Sequence, residues 1–216
     1  MGELQEIGLK YRTDKSMTHQ FNGRTFLDVY ERYFNHLKNS NVVLLELGIL
    51  NGASLKTWEE YFVNGKIIGL DIDPSKKALS TEKTEIFIGS QNDKNLITTI
   101  KNQNPKGFDI VIDDASHINE LTIDSFNLIY DAIKPGGFYV IEDTHCTYGN
   151  KWFKDFTEAV KVWPGMSYND PSVKFENDRS EFEKFLFEKI EVLDKKQGNI
   201  FSVHIHSETI VIEKTL

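Results

Sequence analysis

The chain has 216 residues, a net charge of −8 and a single cysteine. With 33 acidic against 25 basic residues and no basic run, it lacks the positive charge that attracts nucleic acid or anionic membranes, so we expect neither as a partner. No stretch approaches the roughly 20 apolar residues of a membrane-spanning helix, and the acidic N-terminus is unlike a secretory signal. We therefore expect a single-domain cytoplasmic protein, residues 1–216, that acts on a small molecule.

The first 40 residues predict a polar segment followed by an amphipathic helix. Residues 10–24 are polar and show no period, which predicts a loop or lid over a site. From Phe26 to Leu37, apolar residues recur every three or four positions, as on the broad apolar face of a helix. The aromatic stripe Tyr30, Tyr33 and Phe34 in this helix favours either core packing or a subunit interface, so a homo-oligomer is one expectation.

From residue 42 onward, short apolar runs alternate with helical stretches. The predicted strands are residues 42–47, 66–71, 85–88, 108–113 and 138–142, and the predicted helices are residues 54–62, 93–102 and 120–133. Continuous apolar runs such as residues 110–112 are typical of parallel strands covered on both faces. The Lys-Pro-Gly-Gly run at 134–137 is expected to end the helix before the fifth strand. The alternation predicts a doubly wound α/β fold with a mostly parallel, Rossmann-like sheet.

The C-terminal third is less regular until its end. Residues 150–196 contain loop signals and one possible helix at 180–187. Residues 200–206 and 209–213 are rich in β-formers and predict a closing antiparallel hairpin at the edge of the sheet. Cys146 is interpreted as an unreactive packing residue, because most lone cysteines are buried and inert.

The loop after the first predicted strand indicates a cofactor. Gly48 and Gly52 allow a tight turn and a close approach to a ligand, but their spacing is not that of a pyrophosphate-binding loop. Asp71, at the end of the second strand, could accept hydrogen bonds from a ribose diol. Glu46 could bind the ammonium group of an amino acid. S-adenosylmethionine fits these features, while the alternative is that the glycines serve only a strand-to-helix turn.

Two acidic pairs follow the fourth and fifth strands. Asp113 and Asp114 end one strand, and Glu142 and Asp143 end the next, so we expect all four at the same sheet edge. Such carboxylates repel one another unless a cation or protons intervene, and oxygen ligands favour Mg²⁺ or Mn²⁺. His117 lies three residues beyond Asp114 and could act as a general base. The alternative is that the acids cap helices.

Several short motifs together carry a family resemblance. They are Thr13-Asp14-Lys15, Tyr30-Glu31-Arg32, Leu45-Glu46-Leu47-Gly48, Ser54-Leu55-Lys56-Thr57-Trp58, Gly89-Ser90-Gln91-Asn92-Asp93, Asp113-Asp114-Ala115-Ser116-His117, Gly136-Gly137 and Ile141-Glu142-Asp143-Thr144. The sequence resembles the metal-dependent class I O-methyltransferases that act on sugar hydroxyls of macrolide antibiotics, as in mycinamicin and macrocin biosynthesis. Cephalosporin hydroxylase-like proteins are related. The resemblance covers residues 10–148 and returns at 201–214.

The resemblance implies roles for particular residues. Asp114, Glu142 and Asp143 would hold the metal ion, and His117 would be the base. The residues assigned to S-adenosylmethionine are Glu46, Gly48, Gly52, Ser54, Asp71, Gln91 and Asp113, with Gln91 near the adenine. The acceptor would be a hydroxyl of a sugar or similar small polyol, from a natural product or a surface-polysaccharide precursor. Residues 150–196, which match poorly, would form a substrate-specific insertion.

Two other functions share the predicted fold. A nicotinamide-dependent oxidoreductase would need a phosphate-binding glycine fingerprint, which this sequence lacks. A non-catalytic cofactor-binding protein would have no need for Asp114, Glu142, Asp143 and His117 together. One departure from the family pattern is Ala115, which stands where a glycine is expected.

Overall fold

The computed structural model describes residues 2–16, 23–148 and 177–216. Within these ranges, seven strands form one sheet. The strands are β1 (Val43–Leu47), β2 (Lys66–Asp71), β3 (Thr84–Ile88), β4 (Phe108–Asp113), β5 (Ile133–Ile141), β6 (Ile200–His206) and β7 (Thr209–Lys214). The helices are α1 (Glu3–Tyr11), α2 (Phe26–Phe34), α3 (Ala53–Tyr61), α4 (Lys94–Gln103), α5 (Asn119–Ile129) and α6 (Arg179–Asp194).

The strand order is β3-β2-β1-β4-β5-β7-β6. Strands β1 to β5 run parallel, β7 pairs antiparallel with β5, and β6 pairs antiparallel with β7. The chain moves outward from β1 to β3 and then returns to β4, so the order reverses between β1 and β4. Ligands of open α/β sheets bind beyond the carboxyl ends of the strands at such a reversal. The predicted Rossmann-like sheet with a C-terminal antiparallel hairpin is confirmed.

Helices cover both faces of the sheet, because successive strand side chains point to opposite faces. On one face, the fully buried Leu4, Tyr30 and Trp58 of α1, α2 and α3 pack with Leu44 of β1. On the other face, the side chains of α4, α5 and α6 pack with Leu45, the residue that follows Leu44 in β1. Each face therefore has its own apolar layer, and strands β1 to β5 and β7 contribute to both.

The N-terminal segment is more ordered than its composition predicts. Helix α1 was not predicted, yet it buries Leu4 and Ile7. Residues 10–16 were predicted as part of a loop, but Tyr11 ends a helix and Asp14–Ser16 form a 3₁₀ turn. The Gln5 side chain holds that turn by donating to the Ser16 carbonyl at 2.8 Å. Thr13, Lys15 and Ser16 are buried, whereas Lys10 and Arg12 are exposed, so hydrogen bonding inside the protein explains part of the polar character of residues 10–16.

The Lys-Pro-Gly-Gly run does not precede the fifth strand, which corrects the prediction. It lies inside β5, where the register with β4 shifts between Phe108 and Ile110. Pro135 is exposed, and Gly136 has a φ of +72°. A proline without an N–H and a glycine at positive φ are both compatible with such an irregularity. The run therefore bends a strand instead of starting one.

The remaining predicted elements agree with the structure within a few residues. The helix predicted at 180–187 is confirmed as part of a longer α6. Most of the predicted insertion at 150–196 lies outside the described residues, as do residues 17–22 of the predicted lid. None of the helices in the described ranges has the length and hydrophobicity of a membrane-spanning segment.

Candidate functional site

Three acidic side chains meet at the carboxyl edge of the sheet, on the face covered by α1 to α3. Glu46 of β1 is paired in register with Ile112 of β4, and Ile112 is paired with Val140 of β5. Asp114 and Glu142 lie two residues beyond these, immediately after the last residues of β4 and β5. The alternation of strand side chains thus directs Glu46, Asp114 and Glu142 toward the same face.

Lys15 joins these three carboxylates. Its side chain is 2% exposed, and its Nζ contacts Asp114 Oδ2, lies 2.8 Å from Glu142 Oε2 and 3.4 Å from Glu46 Oε1. Burial lowers the pKa of Lys15, but the carboxylates raise it more, so the pKa stands well above its ordinary value. Lys15 is therefore a fixed positive charge inside the site.

Glu46 is fully buried against helix α3. Its Oε2 accepts hydrogen bonds from Ser54 Oγ at 2.9 Å and from Trp58 Nε1 at 3.0 Å. Its Oε1 accepts no hydrogen bond within the described part of the chain. Burial raises the pKa of Glu46 to about 7, although Lys15 opposes the shift. One oxygen is thus fixed by the protein, and the other can still accept a donor.

Glu142 is held through both of its oxygens. Oε2 pairs with Lys15, and Oε1 accepts a hydrogen bond from the Tyr30 hydroxyl at 2.6 Å. Burial and the neighbouring Asp114 raise the pKa of Glu142 well above its ordinary value. The structure therefore places this predicted metal ligand against an ammonium and a phenol.

Asp114, His117 and Asp143 form a group whose potential ligand atoms lie within 4.8 Å of one another. His117 Nε2 is 3.4 Å from Asp143 Oδ2 and 3.9 Å from Asp114 Oδ1. His117 and Asp143 have φ values of 55° and 52°, a left-handed conformation uncommon for side-chain-bearing residues. Asp143 also belongs to a second such group, with His145 and Glu208.

Asp71 and the two glycines shape the loop after β1. Asp71 Oδ2 accepts a hydrogen bond from Ile49 N at 3.0 Å. Gly48 has a φ of +78°, and a Cβ there would lie 2.2 Å from the Asp114 carbonyl oxygen. Gly52 also has positive φ, with more room around it. Gly48 therefore allows the loops after β1 and β4 to touch, a packing role beyond the predicted approach to a ligand.

Asp113 and Gln91 lie on the other face of the sheet. Asp113 accepts hydrogen bonds from Gln91 Nε2, Ser125 Oγ and Tyr139 Oη, and burial raises its pKa to about 6. Gln91 Oε1 accepts from Ser116 N at 3.0 Å. These two predicted cofactor residues thus form one network that supports the loop after β4, separate from Glu46 and Lys15.

The sequence predicts no role for Lys15, and it places Tyr30 only in the core or at a subunit interface, not in the site. Both lie in motifs that carried the family resemblance, but a lysine in a polar segment and a tyrosine in an amphipathic helix have common structural explanations. Their function depends on contacts with Glu142, which is 127 and 112 residues away in sequence. The family resemblance of these two motifs was the available sign of their importance, but it did not indicate that both residues contact Glu142.

Known proteins resemble this chain in both sequence and structure. No family model matches the sequence. Demethylmacrocin O-methyltransferase of Streptomyces fradiae is 37% identical over 154 residues, which are 68% of this chain and 37% of that protein. L-olivosyl-oleandolide 3-O-methyltransferase of Streptomyces antibioticus is 33% identical over 177 residues, or 78% and 40% of the two chains. The chain is thus similar in sequence to O-methyltransferases whose names indicate glycosylated natural products. It spans about two fifths of the length of these curated relatives.

Solved structures agree with the sequence comparison. The MycE methyltransferase of the mycinamycin biosynthetic pathway, in complex with Mg and SAH, superposes with a TM-score of 0.76 at 29% identity. The match covers 99% of this chain and 55% of MycE. A MycE complex that also contains mycinamycin VI gives a TM-score of 0.74. This chain therefore shares its fold with part of the MycE methyltransferase.

Proposed function

We propose that this chain is a metal-dependent O-methyltransferase. It transfers a methyl group from S-adenosylmethionine to a hydroxyl of a sugar or similar small polyol. The observation that carries the proposal is the convergence of Asp114, His117 and Asp143 beside Glu46, at the strand-order reversal. The homology to sugar O-methyltransferases supports the reaction class.

The donor set suits a divalent cation. Asp114 and Asp143 supply carboxylate oxygens, which hard ions such as Mg²⁺ and Mn²⁺ prefer, and Glu142 lies beside them. We assign Asp114, Asp143 and Glu142 to this ion. When bound, the ion would make a substrate hydroxyl more acidic and would hold it in place. The presence of Mg in the MycE complexes supports this assignment.

The residues around Glu46 suit the amino-acid end of S-adenosylmethionine. Glu46 Oε1 faces the site without a hydrogen bond from the described residues, and Ser54 and Trp58 fix the other oxygen. A cofactor ammonium would satisfy this buried acceptor, which is costly to leave without a donor. Asp71, which already orients the loop at Ile49, would accept hydrogen bonds from the ribose.

His117 is assigned to proton removal. Its imidazole would take the proton of the acceptor hydroxyl at Nε2, and the oxygen would then attack the cofactor methyl carbon as the carbon–sulfur bond breaks. Asp143 and Asp114, 3.4 and 3.9 Å from Nε2, would stabilise the imidazolium that forms. A positioned base of this kind contributes about 10²–10⁴-fold to a rate.

The names of the relatives suggest the acceptor class. They methylate an olivosyl-oleandolide, a demethylmacrocin and a rhamnosyl tetracenomycin. We therefore propose a deoxysugar or related glycoside as substrate, with residues 150–196 contributing to its selection. With a net charge of −8, the chain offers no general attraction to phosphate-rich polymers.

Calorimetric titration with S-adenosylmethionine tests cofactor binding, and transfer of a labelled methyl group to rhamnosides tests the reaction. We expect S-adenosylmethionine to bind and methyl transfer to require Mg²⁺ or Mn²⁺. Transfer that continues unchanged in excess EDTA would contradict metal dependence. A chain that binds NADH but not S-adenosylmethionine would instead favour an oxidoreductase.

A further inference from the structure

Lys15 occupies the centre of the carboxylate cluster formed by Glu46, Asp114 and Glu142. Its Nζ contacts Asp114 Oδ2 and lies 2.8 Å from Glu142 Oε2, with its side chain 2% exposed. The backbone that carries it is well fixed, because Gln5 Nε2 donates to the Ser16 carbonyl and Ser16 Oγ donates to the Thr13 carbonyl. The hydrogen-bonded 3₁₀ turn Asp14–Ser16 therefore fixes the position of the Lys15 ammonium between the carboxylates.

The oxygens that Lys15 binds belong to residues proposed to hold a divalent cation. Both oxygens of Glu142 already have partners, Lys15 at Oε2 and Tyr30 at Oε1. Each oxygen has a second lone pair, so a cation that recruits Glu142 would coordinate either beside Tyr30 at Oε1 or beside the Lys15 ammonium at Oε2. Because two positive charges a few ångströms apart in a buried site repel strongly, the ammonium and the cation cannot share that oxygen without a large penalty.

Glu46 is a second carboxylate with which Lys15 can pair when a cation displaces it from Glu142. Glu46 Oε1 lies 3.4 Å from Nζ and accepts no hydrogen bond from the described residues. In the absence of S-adenosylmethionine, whose ammonium is proposed to bind the same oxygen, a short movement toward Glu46 would keep the Lys15 ammonium paired while it releases Glu142. Displacement therefore does not leave an unpaired buried charge, which would be strongly destabilising.

We propose that Lys15 and a divalent cation compete for the carboxylates of Asp114 and Glu142, so that Lys15 sets the cation affinity of the site. The proposal rests on the proposed metal dependence of this chain. Lys15 is a positioning residue in this account, since it acts through the two carboxylates. It also keeps those carboxylates together, which otherwise repel each other.

The test is the Mg²⁺ affinity of Lys15→Met, measured by calorimetry, together with the increase in melting temperature that Mg²⁺ produces. Removal of the competing ammonium should tighten Mg²⁺ binding by about tenfold or more. Mg²⁺ should also raise the melting temperature of Lys15→Met more than that of the wild type. A purely structural lysine would lower the melting temperature equally with and without Mg²⁺.

Lys10→Met is the matched control. Lys10 is also a lysine paired with a glutamate, but its side chain is 57% exposed and its partner, Glu60, lies outside the carboxylate cluster. Its Mg²⁺ response should equal that of the wild type. Unchanged or weaker Mg²⁺ binding by Lys15→Met would overturn the proposal, and weaker binding would show that Lys15 assists the cation instead.

A second variant covers the case in which Lys15→Met does not fold. Lys15→Gln removes the positive charge but keeps an N–H donor for Glu142 Oε2, so it should fold and tighten Mg²⁺ binding as Lys15→Met does. Unchanged or weaker Mg²⁺ binding by Lys15→Gln would contradict competition.

The wild type in the same titrations separates this inference from the proposed function. A wild type that binds neither S-adenosylmethionine nor Mg²⁺ contradicts the proposed function. If only the Lys15→Met variant binds Mg²⁺, competition is supported. If the wild type and Lys15→Met bind Mg²⁺ equally, only the role of Lys15 is overturned.

Discussion

The Tyr30 hydroxyl donates a 2.6 Å hydrogen bond to Glu142 Oε1, which links helix α2 to the end of strand β5. Tyr30 is fully buried, and its ring stacks on Phe26 and Phe34. The position of its hydroxyl is therefore fixed by aromatic packing. Through this contact, the amphipathic helix α2 takes part in shaping the carboxylate cluster and does more than cover the sheet.

Tyr30→Phe should destabilise the fold and loosen Glu142. The loss of a buried hydrogen bond to a charged group should lower the free energy of unfolding by about 1.5–3 kcal/mol, measured by urea denaturation. Tyr33→Phe is the control, because Tyr33 lies on the same helix and bonds the partly exposed His206 at 2.8 Å. An equal decrease in the free energy of unfolding of the two variants would show that the hydrogen bond to Glu142 stabilises the fold no more than the bond to His206.

Gly48→Ala should be far more disruptive than its backbone conformation alone explains. The new Cβ would lie 2.2 Å from the Asp114 carbonyl oxygen, so the loops after β1 and β4 must separate. Gly23→Ala isolates the conformational part, since Gly23 has a φ of +76° and no described atom within 4 Å of the point where a Cβ would lie. We expect a loss of about 1–2 kcal/mol for Gly23→Ala and a larger loss for Gly48→Ala, together with weaker binding of S-adenosylmethionine. Similar unfolding curves for both variants would contradict the close approach.

Binding of S-adenosylmethionine should weaken as the pH falls through neutrality. Burial raises the pKa of Glu46 to about 7, and only the ionised carboxylate can pair with an ammonium. If only that form binds, the affinity should fall about tenfold between pH 8 and pH 6. Calorimetric titrations across this range measure it.

Glu46→Gln supplies the reference for that pH series. It should bind S-adenosylmethionine weakly, and any pH dependence left in it reports protons lost by the ligand itself. Glu60→Gln, on helix α3 but with its side chain 35% exposed, should behave as the wild type. A Glu46→Gln profile that matches the wild type would remove Glu46 from the cofactor site.

His117→Ala separates two roles for this side chain. As a base, its loss should reduce methyl transfer by about 10²–10⁴-fold and leave Mg²⁺ binding intact. As a metal ligand, its loss should weaken Mg²⁺ binding as well. Single-turnover methyl transfer and Mg²⁺ calorimetry on the same preparation distinguish the roles, with His204→Gln as the control. Normal turnover in His117→Ala would exclude both.

Cys146 should be unreactive in the folded protein. Its side chain is buried, and burial together with Asp143 and Glu208 raises the pKa of the thiol to about 12. At pH 8 the thiolate fraction should therefore be about 10³-fold below that of the unfolded chain. Reaction with a chromogenic disulfide reagent, with and without urea, measures this difference. Rapid labelling of the native protein would show that the thiol is accessible and activated.

Most of the sheet could be predicted from the sequence, because parallel strands covered on both faces are continuous apolar runs. The loop after Glu46 and the two acidic pairs could also be predicted, because they directly follow these apolar runs. Helix α1 was missed because only a short part of its surface is apolar. Lys15 was missed because a buried charge is determined by its partners, and Glu142 is 127 residues distant in sequence.

The separation of Asp113 from Asp114 shows another limit of sequence reasoning. Adjacent residues at the end of a strand lie at one sheet edge, which is why both were assigned to one site. Their side chains nevertheless point to opposite faces, so Asp113 contacts Ser125 and Tyr139 while Asp114 contacts Lys15. The position of a residue along a strand predicts the sheet edge at which it lies. The alternation of side chains along the strand determines which face the side chain points to, and therefore which residues it contacts.

Strand β7 lies inside the sheet, between β5 and β6, although it is the last strand in the described sequence. During synthesis, β5 therefore presents an unpaired edge until β7 has left the ribosome. An exposed strand edge is a template for association with other chains. Nascent chains that stop before residue 209 should consequently be prone to aggregation, and the final strand acts as the closing step that protects the growing sheet.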